Sequence, residues 1–412
     1  MNIRSLAVPV SVILSVSVCA RPTSATDLAA ASLANGGNPV TIVCFGDSVT
    51  GVYYHTGGRR AYADMLELAL ERLYPNASVT VVNAGISGHA TDNALARMDA
   101  DVLAHKPDLV TVMFGLNDMT RVPLDDYRAN LATIITRARE TGAEVILCTP
   151  NAVFETERRP SAKLVDYVEA IRAVGVEQNV PVVDCYQAYD QIRARDPLAF
   201  ALLMSDEIHP NMDGHKLIAE LLARAVSGKA MSLNDVGPPA PAIPKTLGLI
   251  ADGKPVRIHA MPPYDRLIET ALRQIAPDAA VKVIPWPVNG KSLPEIEESA
   301  KEIRNMGLDL VVVAVPSDAE ADTVEDYIRS YSWILNWSLS FGHQEWDCIA
   351  IPPSTTAPEL SAAHAERDRL ARKLISAQDL GTVTRRDGDS RPAEVLLTEW
   401  LREQIKTTET TP

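Results

Sequence analysis

Two stretches of this chain hold residue types that could do covalent chemistry. The first is Ser48 in Phe45-Gly46-Asp47-Ser48-Val49-Thr50-Gly51, directly after the apolar run Val40-Thr41-Ile42-Val43-Cys44. The second is Ser205-Asp206-Glu207-Ile208-His209-Pro210-Asn211, where a histidine follows an aspartate by three residues. A β-branched run bounded by glycine reads as a short buried strand, and open α/β sheets bind ligands beyond the carboxyl ends of their strands. A hydroxyl residue at that place also serves as a helix N-cap, so Ser48 taken alone decides nothing. Acyl transfer asks for more: a base to take the hydroxyl proton, a group that holds the base in the right tautomer, and donors aimed at the oxyanion. His209 supplies the base and Asp206, in the same tight loop, the orienting carboxylate. The main-chain N–H groups of Ser48 and Gly88 and the side-chain amide of Asn117 supply three donors, and a glycine at 88 lets the main chain come close without a Cβ. Each of these residues also reads as a turn, cap or surface residue when taken singly. Their joint placement separates the two readings.

That placement depends on the elements between them. Residues 62–73 carry Met65, Leu66, Leu68, Ala69 and Leu73 at helical spacing and stop at Pro75-Asn76. A strand over 79–82 then runs into Asn83-Ala84-Gly85-Ile86-Ser87-Gly88. The alternation continues with a helix over 94–104, a strand over 109–114 that ends in Gly115-Leu116-Asn117-Asp118, a helix over 124–141 stopped by Gly142, and a strand over 145–148. A helix over 162–175, a strand over 182–184 and a helix over 214–226 complete it. Five strands alternating with helices imply a doubly wound parallel sheet, and right-handed crossovers put every strand end on one rim. Ser48, Gly88, Asn117 and His209 therefore share an edge.

Gly46-Asp47-Ser48, Gly88 after Asn83-Ala84-Gly85, Gly115-Leu116-Asn117-Asp118 and Asp206-Glu207-Ile208-His209-Pro210 occur in the order of the four blocks of the SGNH (GDSL-type) hydrolases, and residues 39–226 resemble that family. The resemblance implies a flavodoxin-like three-layer α/β/α fold and a serine esterase or lipase. It also implies a nucleophile at Ser48, an Asp206–His209 pair, and oxyanion donors from Ser48, Gly88 and Asn117. Val49-Thr50 stands where the strict name motif has Leu, at a position that supports the loop. Position 50 being Thr, no Gly-x-Ser-x-Gly elbow surrounds Ser48, against the common α/β-hydrolase fold.

With 412 residues the chain has room for two cores. Its 53 acidic residues against 39 basic ones, a net charge of −14, argue against a nucleic-acid partner or a polybasic membrane patch. Arg4, an apolar stretch over 6–20 and small residues up to Ala25 read as an export signal, residues 1–25, with a lipid anchor at Cys19 as the minor option. No other run is long enough to span a bilayer. Cys44, Cys148, Cys185 and Cys348 fall in or at the end of apolar strands and read as small apolar side chains rather than a disulfide framework. His55, His89 and His105 read as loop or surface residues without ligand spacing, and no metal or organic cofactor is expected.

The catalytic unit is expected over 38–230, a proline-rich linker over 231–247, and a second α/β domain over 248–405, with a disordered polar tail over 406–412. The second half repeats the first: residues 62–91 lie over 264–293 without a gap, nine of thirty positions being identical. Its chemistry is missing, since Ser48 falls opposite Tyr264, Asn117 opposite Asp318 and His209 opposite Arg391. Trp286, Trp333, Trp337 and Trp346 could stack on sugars, although Trp333 and Trp337 are four apart on one helix, and such a pair is more often core. The resulting expectation is a secreted esterase acting on an ester substrate, with short acyl groups on carbohydrate first. A lysophospholipase or thioesterase of the same family, and a carbohydrate-binding protein with a silent site, stay open as alternatives.

Overall fold

The computed structural model describes residues 27–36 and 38–410. The proposed signal over 1–25, with Cys19, lies outside the described residues. Five strands form the first sheet: β1 (Val40–Gly46), β2 (Val79–Gly85), β3 (Leu109–Met113), β4 (Glu144–Cys148) and β5 (Val182–Val183). All pair in parallel, in the order β2-β1-β3-β4-β5. The chain leaves β1 for β2 on one side and returns to β3 on the other, so the order reverses at the carboxyl end of β1, where such sheets open a crevice. Ser48 stands two residues past that end.

β1 is buried along its length because helices cover both faces, which is why it reads as a continuous apolar run rather than an alternating one. Helix Tyr62–Leu73 has the bounds its apolar spacing predicts. Helices Cys185–Arg195 and Pro197–Ala201 were not anticipated. Asp184 caps the first through the Gln187 N–H at 3.0 Å, and Asp196 caps the second through Leu198 and Ala199 at 3.0 and 3.1 Å. Cys44, Cys148, Cys185 and Cys348 are buried free thiols. Among the described residues no helix is long and apolar enough to cross a membrane.

The second half builds its own parallel sheet from β6 (Val256–Ala260), β7 (Val281–Pro285), β8 (Leu310–Val313) and β9 (Asp347–Ala350), in the order β7-β6-β8-β9. This matches the order of the first four strands of the other sheet. Helix Tyr264–Ile275 has the twelve residues of Tyr62–Leu73, and Gly290 at φ +73° matches Gly88 at φ +75°. Register corrects one correspondence. Val40 pairs with Val79 and Val256 with Val281, so the second unit is fourteen residues shorter between its first two strands. Tyr264 is therefore the counterpart of Tyr62, and the loop that carries Ser48 has none. Asp318 and Arg391 point to solvent, Arg391 pairing with Asp389 and Glu399 at 2.7 Å.

Two boundaries also move. Helix Pro244–Ala251 begins inside the stretch expected as linker, because Ile243 and Leu247 are buried in the second core. The last helix, Ala393–Thr410, continues through Lys406 where the polar composition suggests disorder; a helix already nucleated on buried Leu397 and Leu401 extends at little cost. Trp286 is core, stacked on His259 at 5.1 Å, and Trp333 and Trp337 stack on each other at 5.6 Å.

Candidate active site

Backbone geometry sets the Ser48 turn. A Cβ on Gly46 would lie 1.9 Å from Thr50 Oγ1 and 2.7 Å from the Met113 carbonyl, so the end of β1 accepts only glycine. The Asp47 carbonyl then accepts the N–H of Thr50 at 3.2 Å and of Gly51 at 3.0 Å, while Asp47 Oδ1 accepts Val49 N–H at 2.9 Å. Burial pushes the Asp47 carboxyl up to about 6, against the Val49 N–H and the Arg159 guanidinium, which favour its charge. Thr50 hydrogen-bonds Tyr62 at 3.0 Å, and its carbonyl accepts the Asn83 amide at 2.7 Å, so the name-motif departure at 49–50 braces the loop.

Across the rim, the loop after helix Pro197–Ala201 is closed by Ser205 N–H to the His209 carbonyl at 2.8 Å. Asp206 Oδ1 accepts the N–H of Ile208 and of His209, both at 2.8 Å. Its Oδ2 accepts His209 Nδ1 at 2.8 Å, and His209 Nε2 lies 2.8 Å from Ser48 Oγ. An ionised carboxylate only accepts, so Nδ1 carries the proton and Nε2 is left to accept from the Ser48 hydroxyl. Burial alone would raise the Asp206 pKa; the facing His209 and the two main-chain donors overcome it and hold the carboxyl well below the usual carboxylate range. Ser48, Asp206 and His209 are each 7–8% exposed, shielded from bulk water yet open at the rim.

Gly88 sits at the third place of the turn Ile86 to His89, closed by His89 N–H to the Ile86 carbonyl at 3.2 Å; its φ of +75° is in the left-handed region. The main-chain N–H groups of Ser48 and Gly88 have no acceptor among the described residues, which leaves both for an incoming oxygen. Asn117 is held at both ends of its amide: Oδ1 accepts Arg159 Nη2 at 3.2 Å and Nδ2 donates to the His89 carbonyl at 2.9 Å. One Nδ2 hydrogen stays uncommitted.

Other residues of the site were not singled out in the sequence. His55, read there as loop or surface, is fully buried and stacks face to face on His209, with centroids 4.3 Å apart and planes at 3°. His215 continues the column at 5.7 Å from His55. Burial drives the His55 ring well below its ordinary pKa and the His215 ring down to about 3, so both stay neutral beside His209. Tyr54 donates its hydroxyl to Asp206 Oδ2 at 2.8 Å, and Arg304 of the second half lies over the Tyr54 ring at 5.0 Å. His89 is half-buried, and His105 is exposed. No His/Cys/Asp/Glu group among the described residues could hold a metal ion. Every one of these missed contacts joins segments far apart in the chain, which no local spacing reveals.

Residues 44–217 match the model of the GDSL-like lipase/acylhydrolase family. An acetylxylan esterase of Geobacillus stearothermophilus is 31% identical over 169 residues, 38% of this chain and 76% of that protein. Thioesterase 1/protease 1/lysophospholipase L1 of Escherichia coli (strain K12) is 27% identical over 45% of this chain and 82% of its own. A solved lipase/acylhydrolase from Enterococcus faecalis is 28% identical, with 47% of this chain and 98% of that one covered and a TM-score of 0.40.

Proposed function

The chain belongs to the GDSL-like lipase/acylhydrolase family and is a carboxylic ester hydrolase, and from that premise we propose that it cleaves esters through an acyl-Ser48 intermediate. The observation that carries this is the continuous relay of two 2.8 Å contacts from Ser48 through His209 to Asp206. Ser48 Oγ attacks the ester carbonyl as His209 Nε2 takes its proton, and the oxyanion is met by the N–H groups of Ser48 and Gly88 and by the Asn117 amide. Collapse expels the alcohol, which receives the proton from His209. Water, activated by the same imidazole, then releases the acid and restores the hydroxyl. No metal or organic cofactor takes part in this scheme.

The substrate is an ester of a short acyl group on a carbohydrate, a reading that the acetylxylan esterase among the relatives supports. The Escherichia coli relative supports a second, a lysophospholipase or thioesterase. A serine-directed phosphonate is expected to label the wild type and not Ser48→Ala; an unlabelled wild type would favour a silent carbohydrate-binding protein instead. On synthetic esters kcat/KM is expected to fall from acetate to octanoate, and a rise would favour the second reading.

The protein is exported, on the strength of Arg4, the apolar stretch over 6–20 and the small residues up to Ala25. N-terminal sequencing of the mature chain is expected to start at Arg21 or Thr26. Residues 248–405 are a duplicated copy of the 38–230 unit that lost the nucleophile loop, a reading supported by the shared strand order and the matching Gly88 and Gly290 turns.

A further inference from the structure

We infer that the second α/β unit is the positioning device of the Asp206–His209 loop: Arg304 acts on Asp206 through Tyr54, and Asn336 fixes the backbone through Ser205. This rests on the reading of Ser48, His209 and Asp206 as the reacting relay.

Asp206 Oδ2 receives two donors, His209 Nδ1 and the Tyr54 hydroxyl, each at 2.8 Å. Tyr54 therefore shares with His209 the task of aiming that carboxylate. Its own ring is held from the other side. The Arg304 guanidinium lies 5.0 Å over Tyr54, 4.3 Å over Trp337 and 4.9 Å over Phe341, and Nη2 donates to the Asn336 carbonyl at 3.0 Å. A guanidinium is flat and weakly hydrated, which suits it to packing among rings at half-burial. Burial and the adjoining Asp206 raise the Tyr54 phenol, so it stays a neutral donor.

The residues on either side of Asp206 are tied to the same helix of the second unit, Val324–Ser338. Ser205 Oγ donates to Asn336 Oδ1 and the Ser205 carbonyl accepts Asn336 Nδ2, both at 2.7 Å, while Gln378 Nε2 reaches Ser205 Oγ at 2.9 Å. Ser205 and Asn336 are fully buried, where an unpaired amide would be costly, so the pair defines one arrangement of the loop. Trp333 Nε1 donates to Glu207 Oε1 at 3.2 Å. Upstream, Leu198, Ala201 and Leu202 pack into the core of the second unit. The loop that presents His209 is thus moulded on one side by residues 126 to 173 positions further along the chain, and the nucleophile loop meets the same wall where Gly58 lies against Ser340.

The duller reading is that these contacts only glue two units together. Kinetics separate the two, because a hydrogen bond to an ionised group is worth about 1.5–3 kcal/mol, or about tenfold or more in rate when the group acts in the transition state. In the full-length protein, Tyr54→Phe and Arg304→Gln are each expected to lower kcat about tenfold on a short-chain synthetic ester, with KM within about twofold of wild type. The double variant is expected to be no slower than Tyr54→Phe, since Arg304 works through that hydroxyl. Arg304→Lys, which keeps the charge, is expected to recover part of the loss, and it takes the place of Arg304→Gln in the cycle should the latter not fold. Folded variants with wild-type kcat, a rise confined to KM, or losses that multiply in the double variant would each overturn the inference. A wild type that neither hydrolyses esters nor takes up phosphonate would instead remove the relay reading on which it stands.

Discussion

Asp206 and Asp47 are two buried carboxylates at one rim with opposite electrostatic fates. Asp206 has four donors, the facing His209 ring among them, and together they outweigh the cost of burial. Its depressed pKa means that it contributes stability above the unfolded value near 3.9 and that this is lost as pH falls below it. Asp206→Asn keeps the shape and loses the charge that selects the His209 tautomer, so kcat is expected to drop about 10⁴-fold with a folded protein, read by kinetics beside a thermal melt. The Asp47 carboxylate receives one donor, the main-chain N–H of Val49, and its pKa rises to about 6. A raised value works the other way: the protonated form fits the fold, so stability is full below about 4 and is lost as pH climbs to about 6. Asn cannot titrate and still accepts from Val49. Asp47→Asn is therefore expected to gain on wild type across pH 4 to 7, by at most about 3 kcal/mol, in urea unfolding at each pH. A gap that does not vary with pH would show that Asp47 is not desolvated as described.

The turns that carry these groups differ in what their glycines do. A Cβ at Gly85 would sit 2.2 Å from Gly51 N, backbone against backbone, so Gly85→Ala is expected to destabilise the fold. A Cβ at Gly88 would meet nothing within 4 Å, yet its φ of +75° costs an L-residue about 1–2 kcal/mol. Gly88→Ala is thus expected to fold, with a melting temperature within a few degrees of wild type, and to lose about tenfold or more in kcat as its N–H turns from the oxyanion. Equal losses of stability in the two variants would refute the distinction. Both elements were legible in the sequence to different depths. Helix Tyr62–Leu73 could be read to the residue because its apolar spacing and the Pro75 stop are local signals, and the Asp206-x-x-His209 loop because acid and base share one turn. Helices Cys185–Arg195 and Pro197–Ala201 were missed although Asp184 and Asp196-Pro197 are good caps, since little apolar periodicity follows them. His55 was misread because its burial comes from His209 and His215, more than 150 residues away.

At the scale of the molecule, the two cores are joined by charge as well as by packing. Arg60, on the loop that follows Ser48, meets Asp379 of the second unit through Nε at 2.6 Å and Nη2 at 2.7 Å, and the Asp379 side chain is only 2% exposed. Arg60 Nη2 also reaches the Gly237 carbonyl of the linker and Arg59 that of Pro239, so one short segment touches both units and the joint. Removing one partner of a buried pair leaves the other charge without compensation and costs about 3–5 kcal/mol, whereas neutralising both costs far less. If the interface couples the cores, the wild type melts as one transition with equal calorimetric and van't Hoff enthalpies. Arg60→Ala is then expected to lower the midpoint and to split the melt in two. Arg60→Met with Asp379→Asn is expected to recover most of the midpoint; Asn suits position 379, whose φ is +57°. Two transitions in the wild type would mean that the units fold independently. The second unit could then hold the catalytic loops only by docking after folding, and esterase activity would be lost with its own melt rather than with that of the sheet that carries Ser48.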